Sequence, residues 1–171
     1  MRHRELQALL IRAGLVNGEL IERARVATAG TATTWLEYLV QRKLIDEGEV
    51  AAAAGRAMFL PVCELDRLEA VPAEVIAAVP WDLAIEHRLV PLYVEPEGDL
   101  RIALLDPCDT ESWTEAQFFL GRRVLREVAP ATSMAWALHR YYGARTPLWP
   151  PAQRRPATLR SKPSISIQVS L

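Results

Sequence analysis

The sequence is poor in cysteine and contains no long apolar run. Its 171 residues include two cysteines, Cys63 and Cys108, too few for a disulfide scaffold, so both are predicted to be packing residues. No stretch approaches the roughly 18 consecutive apolar residues of a membrane span, and residues 1–5, which are mostly polar, are not followed by the apolar segment of a secretory signal peptide. These absences predict a cytoplasmic protein without direct membrane insertion.

The motifs of common catalytic sites are also missing. The eight glycines form neither the G-x-x-x-x-G-K-[ST] nor the G-x-G-x-x-G phosphate-binding pattern, so nucleotide hydrolysis is not expected. No histidine has a second histidine or a cysteine at the spacing of a zinc site. The sequence therefore predicts no catalytic residue, no metal and no cofactor. One enzymatic alternative stays open, a small hydrolase that uses Asp106 and Asp109 with His87 or His139, although such a carboxylate pair ordinarily forms a turn and a helix cap.

Acidic side chains are absent from range 144–171. This range contains five basic side chains, whereas range 1–143 holds 15 basic and 21 acidic ones, a net charge of −6. A nucleic-acid-binding domain normally carries a basic face, and a net negative charge argues against such a domain, so nucleic acid is not an expected partner. Range 144–171 also holds five prolines and little helical periodicity, and it is predicted to be a disordered tail.

Two features of this tail are candidate contacts with a protein partner. Trp149 is an apolar anchor in a proline-rich stretch where no core is expected. The chain end, range 164–171, alternates strictly between polar and apolar, with Ile165, Ile167 and Val169 on the apolar side, which is the pattern of a half-buried strand. Such a strand could add to a sheet edge, in this protein or in a partner.

Range 1–56 carries a helical pattern that occurs twice. Ranges 10–17 and 39–46 share their apolar positions, and Asn17 and Asp46 are good N-cap residues at the same place in each copy. Each unit is predicted to form a helix, a tight turn and a capped helix. Residues 1–56 are therefore predicted to be a subdomain of four short helices.

Residues 57–143 change to short apolar runs separated by prolines, which is typical of strands and short helices. In chain order these runs predict two strands joined by a glycine-containing turn, a capped helix, a third strand and a last helix. These elements lie at 87–94, at 100–105, from Asp109 or Thr110 to Leu120, at 124–128 and at 132–142. The prediction is an α+β chain with an antiparallel sheet in its second subdomain.

The order of these elements is accompanied by characteristic residues at their ends, namely Pro61, Pro80, Pro91, Leu92, Asp106, Pro107, Gly121, Tyr141, Tyr142 and Gly143. In this arrangement the chain resembles the N-terminal domain of the type II secretion and type IV pilus assembly ATPases, the GspE N-terminal or MshEN-type domain. The resemblance covers roughly residues 5–143. The resemblance implies that this chain has the fold of that N-terminal domain and stands alone, without the ATPase domain.

In that family the helical half can bind cyclic di-GMP through two copies of a pattern like R-L-G-x-x-L-V-x-x-G-L-I. The aliphatic framework of the pattern is kept here, and the resemblance gives as candidate ligand contacts Leu10, Gly14, Leu15, Leu39 and Leu44. The polar ligands are not kept. Glu5 and Thr34 stand in place of the two arginines, and Lys43 stands in place of a glycine, so charge-assisted hydrogen bonds to the ligand are lost.

Each lost contact of this kind typically costs about 1–3 kcal/mol. The sequence therefore predicts a degenerate motif that no longer binds cyclic di-GMP. Arg2, Arg4 or Lys43 could partly compensate for the missing arginines, so a cyclic di-GMP sensor stays open as the alternative.

The second half of the family's domain serves as a docking surface for the cytoplasmic part of an inner-membrane partner or for the ATPase's own motor. The resemblance therefore implies a non-catalytic protein–protein interaction or regulatory module. Its expected partner is a protein, such as a secretion or pilus ATPase or an inner-membrane assembly component. The chain would then lie at the periphery of an inner-membrane complex.

Overall fold

The computed structural model describes residues 4–146 and residue 148, which form nine helices and three strands around one apolar core. Within this part of the chain, no helix combines the length and apolar character needed to cross a membrane. The α+β class and the four N-terminal helices are confirmed. The tail contacts predicted at Trp149, Ile165, Ile167 and Val169 lie outside the described residues.

The helices are α1 Arg4–Arg12, α2 Gly18–Thr28, α3 Trp35–Gln41, α4 Glu47–Met58, α5 Leu65–Glu69, α6 Ala73–Ala77, α7 Trp81–His87, α8 Thr110–Leu120 and α9 Ala131–Tyr142, and the strands are β1 Leu89–Val94, β2 Leu100–Leu104 and β3 Val124–Val128.

The internal repeat is visible in the backbone of the two turns that follow α1 and α3. Gly14 has a φ of 72°, and Lys43, at the equivalent position of the second copy, has a φ of 56°, so both lie in the left-handed region. In each turn, the N–H of the residue that follows the left-handed residue closes the helix end by a hydrogen bond. The N–H of Leu15 donates to the carbonyl of Leu10 at 3.0 Å, and the equivalent bond in the second copy is 2.9 Å long. These are the bonds by which a left-handed residue ends a helix.

The second helix of each pair begins at the predicted cap. Asn17 accepts a hydrogen bond from the N–H of Leu20 at 2.8 Å, and Asp46 accepts one from the N–H of Glu49 at 2.9 Å. Each side chain satisfies a donor that has no partner inside its helix. The predicted unit of helix, tight turn and capped helix is therefore confirmed in both copies.

The three strands form one sheet in the order β1-β2-β3, and its pairing is mixed. The hairpin β1–β2 is antiparallel, as predicted. The prediction of an antiparallel sheet is wrong for β2 and β3, which pair in parallel, with Leu100 beside Val124 and Leu104 beside Val128. The physical reason is the connection: α8 lies between the two strands, and a long helical connection returns the chain to the same end of the sheet, whereas a tight turn reverses its direction.

The chain leaving α4 attaches to the free side of β3. The N–H of Val128 donates to the carbonyl of Pro61 at 2.9 Å, and the N–H of Cys63 donates to the carbonyl of Val128 at 2.7 Å. This attachment brings the chain close to α4 at Gly55, where an added Cβ would lie 2.9 Å from the carbonyl oxygen of Leu60. Gly55 is therefore needed for this close approach.

Two carboxylates of the four-helix part reach the α+β part. Glu37 on α3 accepts a hydrogen bond from Nε of Arg88 at 3.1 Å. Glu47 on α4 accepts one from the N–H of Thr132, at the start of α9, at 2.7 Å. Core residues from both parts belong to one apolar cluster. The division into subdomains at residues 56 and 57 stays a prediction.

We expect Gly55→Ala to lower the free energy of unfolding by about 1–2 kcal/mol, because the new methyl group meets backbone rather than a movable side chain. Gly18→Ala is the matched control. No atom lies within 4 Å of the Cβ that it adds, so we expect a gain of about 0.5 kcal/mol from the smaller chain entropy of alanine. Urea unfolding followed by circular dichroism measures both values. Equal effects of the two substitutions would contradict the close approach at Gly55.

Candidate functional site

The residues predicted to line a cyclic di-GMP site lie in two different environments. Leu10 and Leu39 are completely buried in the core, with no surface open to a ligand. Gly14 and Leu44 lie on the exposed turns after α1 and α3, and the side chain of Leu44 is 51% exposed. Leu15 is half-buried between these environments. Among the residues that match the family's pattern, Leu10 and Leu39 are therefore core residues, whereas Gly14 and Leu44 belong to two exposed turns.

The two residues that stand where the family pattern has arginine, Thr34 and Glu5, each stabilise a helix end here. Thr34 is the N-cap of α3: its hydroxyl accepts a hydrogen bond from the N–H of Glu37 at 3.1 Å, and Glu37 in turn accepts one from the N–H of Thr34 at 2.8 Å. Glu5 is exposed in the first turn of α1, where a carboxylate interacts favourably with the helix dipole. Both residues stabilise helix ends in their own right.

The acidic pair singled out in the sequence forms a turn and a cap. Asp106 accepts a hydrogen bond from the N–H of Cys108 at 2.9 Å, and Asp109 accepts one from the N–H of Ser112 at 3.2 Å. A small cavity of about 130 Å³ does connect the two carboxylates with His87. Asp109 also accepts a hydrogen bond from the hydroxyl of Ser112, with 2.6 Å between the two oxygens, and Nδ1 of His87 lies 2.7 Å from the same hydroxyl oxygen. Ser112 is 2% exposed, so its hydroxyl holds α8 in place and is closed to a substrate.

Both cysteines are buried, as predicted, and neither is a reactive thiol. Burial, with the nearby carboxylate of Glu127, raises the pKa of Cys63 to about 12. Burial, with the nearby carboxylate of Asp106, raises the pKa of Cys108 to about 12. At neutral pH both side chains are therefore protonated, and the protonated form is a poor nucleophile and a poor metal ligand.

A surface that the sequence analysis did not identify lies at the C-terminal end of α4. Phe59, which follows the helix, has a φ of 54° and a ψ of 41° and is 95% exposed. Its N–H donates to the carbonyl of Arg56, and the N–H of Leu60 donates to the carbonyl of Gly55 at 2.9 Å. This is the left-handed position that glycine usually occupies at a helix end. A phenylalanine there has both an unfavourable backbone conformation and a side chain in water.

Two shallow apolar depressions lie on either side of this helix end. We call the first the α1–α4 groove; it has a volume of about 540 Å³ and is lined by Glu5, Ala8, Leu9, Ile11, Arg12, Ala57, Met58 and Cys108. We call the second the Phe59 shelf; it has a volume of about 580 Å³ and is lined by Ala52, Gly55, Arg56, Phe59, Leu60 and Val62. The exposed apolar side chains of Ile11, Phe59 and Val62 belong to these two surfaces.

Comparison with known proteins places the chain in a family. Residues 59–148 match the family model described as "MshEN domain", so the chain belongs to the MshEN domain family. It is similar to "Type IV pilus assembly ATPase PilB" of Thermus thermophilus, with 30% identity over 140 residues. That match covers 81% of this chain and 16% of PilB, so the chain spans about a sixth of the length of this relative.

Solved structures agree with this family and fold. The structure titled "Structure of MshE with cdg" is 25% identical with a TM-score of 0.56, and the match covers 82% of this chain and 100% of that one. One crystal form of the N-terminal domain of XpsE is 20% identical with a TM-score of 0.63, covering 84% of this chain and 100% of that one. The recognition of this domain type from the sequence is therefore confirmed.

Proposed function

We propose that this chain is a non-catalytic docking module that binds a protein component of a type II secretion or type IV pilus assembly machine through the Phe59 shelf. The observation that carries the proposal is Phe59 itself, an almost fully exposed aromatic side chain in a left-handed backbone conformation. The chain would work in the cytoplasm, at the periphery of an inner-membrane complex.

The energetics of Phe59 favour a binding role over a structural one. A residue other than glycine in the left-handed region costs about 1–2 kcal/mol. An exposed phenylalanine recovers none of this within the domain, whereas its burial in an interface contributes about 1.5–3 kcal/mol. Large aromatic side chains are also the residues on which binding free energy concentrates. Arg56 lies beside Phe59 on the shelf and adds a charged group to its rim.

The family supports the class of partner. PilB is by its name a pilus assembly ATPase, and the part of it that this chain matches is a small fraction of its length. The sequence of this chain contains no phosphate-binding loop of the usual kind. The hydrogen bonds of Asp106 and Asp109 support the non-catalytic part of the proposal, because they assign the carboxylates to a turn and a cap.

We expect Phe59→Gly to weaken partner binding at least tenfold while raising the free energy of unfolding by about 0.5–1 kcal/mol, because glycine relieves the left-handed backbone. The measurement is recovery of secretion or pilus assembly proteins with the tagged chain from its source cells, quantified by mass spectrometry. Phe118→Ala is the matched control, since Phe118 is 89% exposed but lies on α8.

A loss of recovery with Phe59→Gly but not with Phe118→Ala supports the proposal. Undiminished recovery with Phe59→Gly, or the absence of any secretion or pilus assembly protein from the recovered set, contradicts it. Phe59→Gly is expected to weaken partner binding and, at the same time, to raise the free energy of unfolding. A loss of binding in a more stable variant comes from loss of the docking side chain and not from loss of the fold.

A cyclic di-GMP sensor is the second candidate, because MshE was solved "with cdg" and shares 25% identity with this chain. We propose that binding has been lost here. Glu5 places a negative charge where the family pattern has arginine, and Thr34 is a helix cap. Lys43 keeps the backbone of the turn, with a φ of 56°, but adds a side chain where the pattern has glycine.

We expect isothermal titration calorimetry of the full chain with cyclic di-GMP to show no binding tighter than about 10 µM. The MshE domain serves as the positive control for the ligand. A tighter dissociation constant would support the sensor and would refute the loss of the motif, while leaving docking through Phe59 to be judged by its own experiment.

A further inference from the structure

The face of α1 that lines the α1–α4 groove has a regular composition. Glu5, Ala8, Leu9 and Arg12 stand at positions i, i+3, i+4 and i+7, so they form one stripe along the helix. The middle of the stripe is apolar and its ends carry opposite charges. The two charged positions are separated by two helical turns, about 10.5 Å along the axis.

The opposite wall of the groove leaves room beside this stripe. It is formed by Ala57 and Met58 at the end of α4, with Cys108 at the base. Ala8 and Ala57 are exposed, so small side chains face the open space from both helices. Small residues on two neighbouring helices allow the backbone of a third element to approach closely, and an amphipathic helix can lay its apolar face into such a groove.

The charges at the two ends of the groove are available to such a helix. Among residues 4–146, neither Glu5 nor Arg12 forms an ion pair with another described residue. A bound helix with an acidic residue opposite Arg12 and a basic residue opposite Glu5 would pair both charges. Such pairs select the orientation and register of a partner more than they add affinity.

The helix dipole of the bound segment decides between its two directions. If the segment runs antiparallel to α1, its N-terminal end lies at Arg12 and its C-terminal end at Glu5. Its acidic residue is then near its own N-terminus and its basic residue near its own C-terminus, which is the favourable arrangement. If the segment ran parallel to α1, its basic residue would lie near its own N-terminus and its acidic residue near its own C-terminus, which is the unfavourable arrangement.

We infer that the α1–α4 groove binds an amphipathic helix of the protein partner, antiparallel to α1, with an acidic residue followed about seven positions later by a basic one. This inference rests on the proposed function, because it identifies the kind of partner segment that the docking module binds. It adds a second contact surface, next to the Phe59 shelf, with its own specificity.

A phage-displayed library of helical peptides, selected on the full chain, tests the inference. We expect the enriched peptides to have apolar residues at helical spacing between an acid and a base seven positions later. Selection on the double variant Glu5→Gln/Arg12→Gln, which removes both charges, is expected to keep the apolar spacing and to lose the preference for an acid followed by a base. A library that yields no binder, or a charge preference that persists on the folded double variant, overturns the inference.

Variants of the groove and the shelf separate the two proposals. Ala57→Arg, which fills the groove, is expected to weaken the selected peptides at least tenfold, whereas Ala70→Arg at an exposed position outside the groove should not. Phe59→Gly should leave these peptides bound. Peptides that lose binding with Phe59→Gly but not with Ala57→Arg would refute the groove and support the shelf. Peptides insensitive to both variants would refute the groove and leave the shelf to the recovery experiment.

Discussion

The pair formed by the buried Glu37 and the partly buried Arg88 is the interaction on which the arrangement of this domain depends. Arg88 ends α7 in a left-handed conformation, with a φ of 49°, and begins the turn into β1. Its guanidinium donates to Glu37 and, at 2.9 Å, to the carbonyl of Ala32 in the loop before α3. Glu37 is 2% exposed and also holds the N–H of Thr34. One side chain of the α+β part thus fixes the start of α3.

Helix α4 is held at both ends, and this positions the two candidate docking surfaces. At its N-terminal end Glu47 caps α9, whose own N-cap residue, Pro130, offers no side-chain hydrogen bond. At its C-terminal end the close approach at Gly55 and the attachment of the following chain to β3 fix the turn. Phe59 therefore projects from a backbone that is held by contacts on both sides, which would lower the entropy lost in the proposed docking. The same support forms one wall of the α1–α4 groove.

Local signals made much of the fold predictable. The caps at Asn17 and Asp46 and the internal repeat are encoded within a few positions of each element, and they were found from the sequence. The parallel pairing of β2 and β3 was not, because it joins two strands that α8 separates along the chain. Arg88 and Glu37 are far apart in the chain, and no local pattern links them.

The candidate site was less accessible to sequence reasoning. Apolar residues at helical spacing can be core residues or ligand contacts, and burial assigns Leu10 and Leu39 to the core. Phe59 was missed because, in the sequence, a phenylalanine after a helix looks like one more apolar residue. Its left-handed backbone lies between the end of α4 and the attachment of residues 61–63 to β3, a contact that only the folded chain shows.

The central claim is that the four-helix part and the α+β part form one cooperative unit joined by the pair of Glu37 and Arg88. A double-mutant cycle with Glu37→Gln and Arg88→Met, measured by urea unfolding with circular dichroism and tryptophan fluorescence, tests it most directly. We predict a single coincident transition, a loss of about 3 kcal/mol for Arg88→Met, and a coupling free energy of at least about 1 kcal/mol. Separate transitions for the two probes, or strictly additive effects of the two substitutions, would contradict the claim.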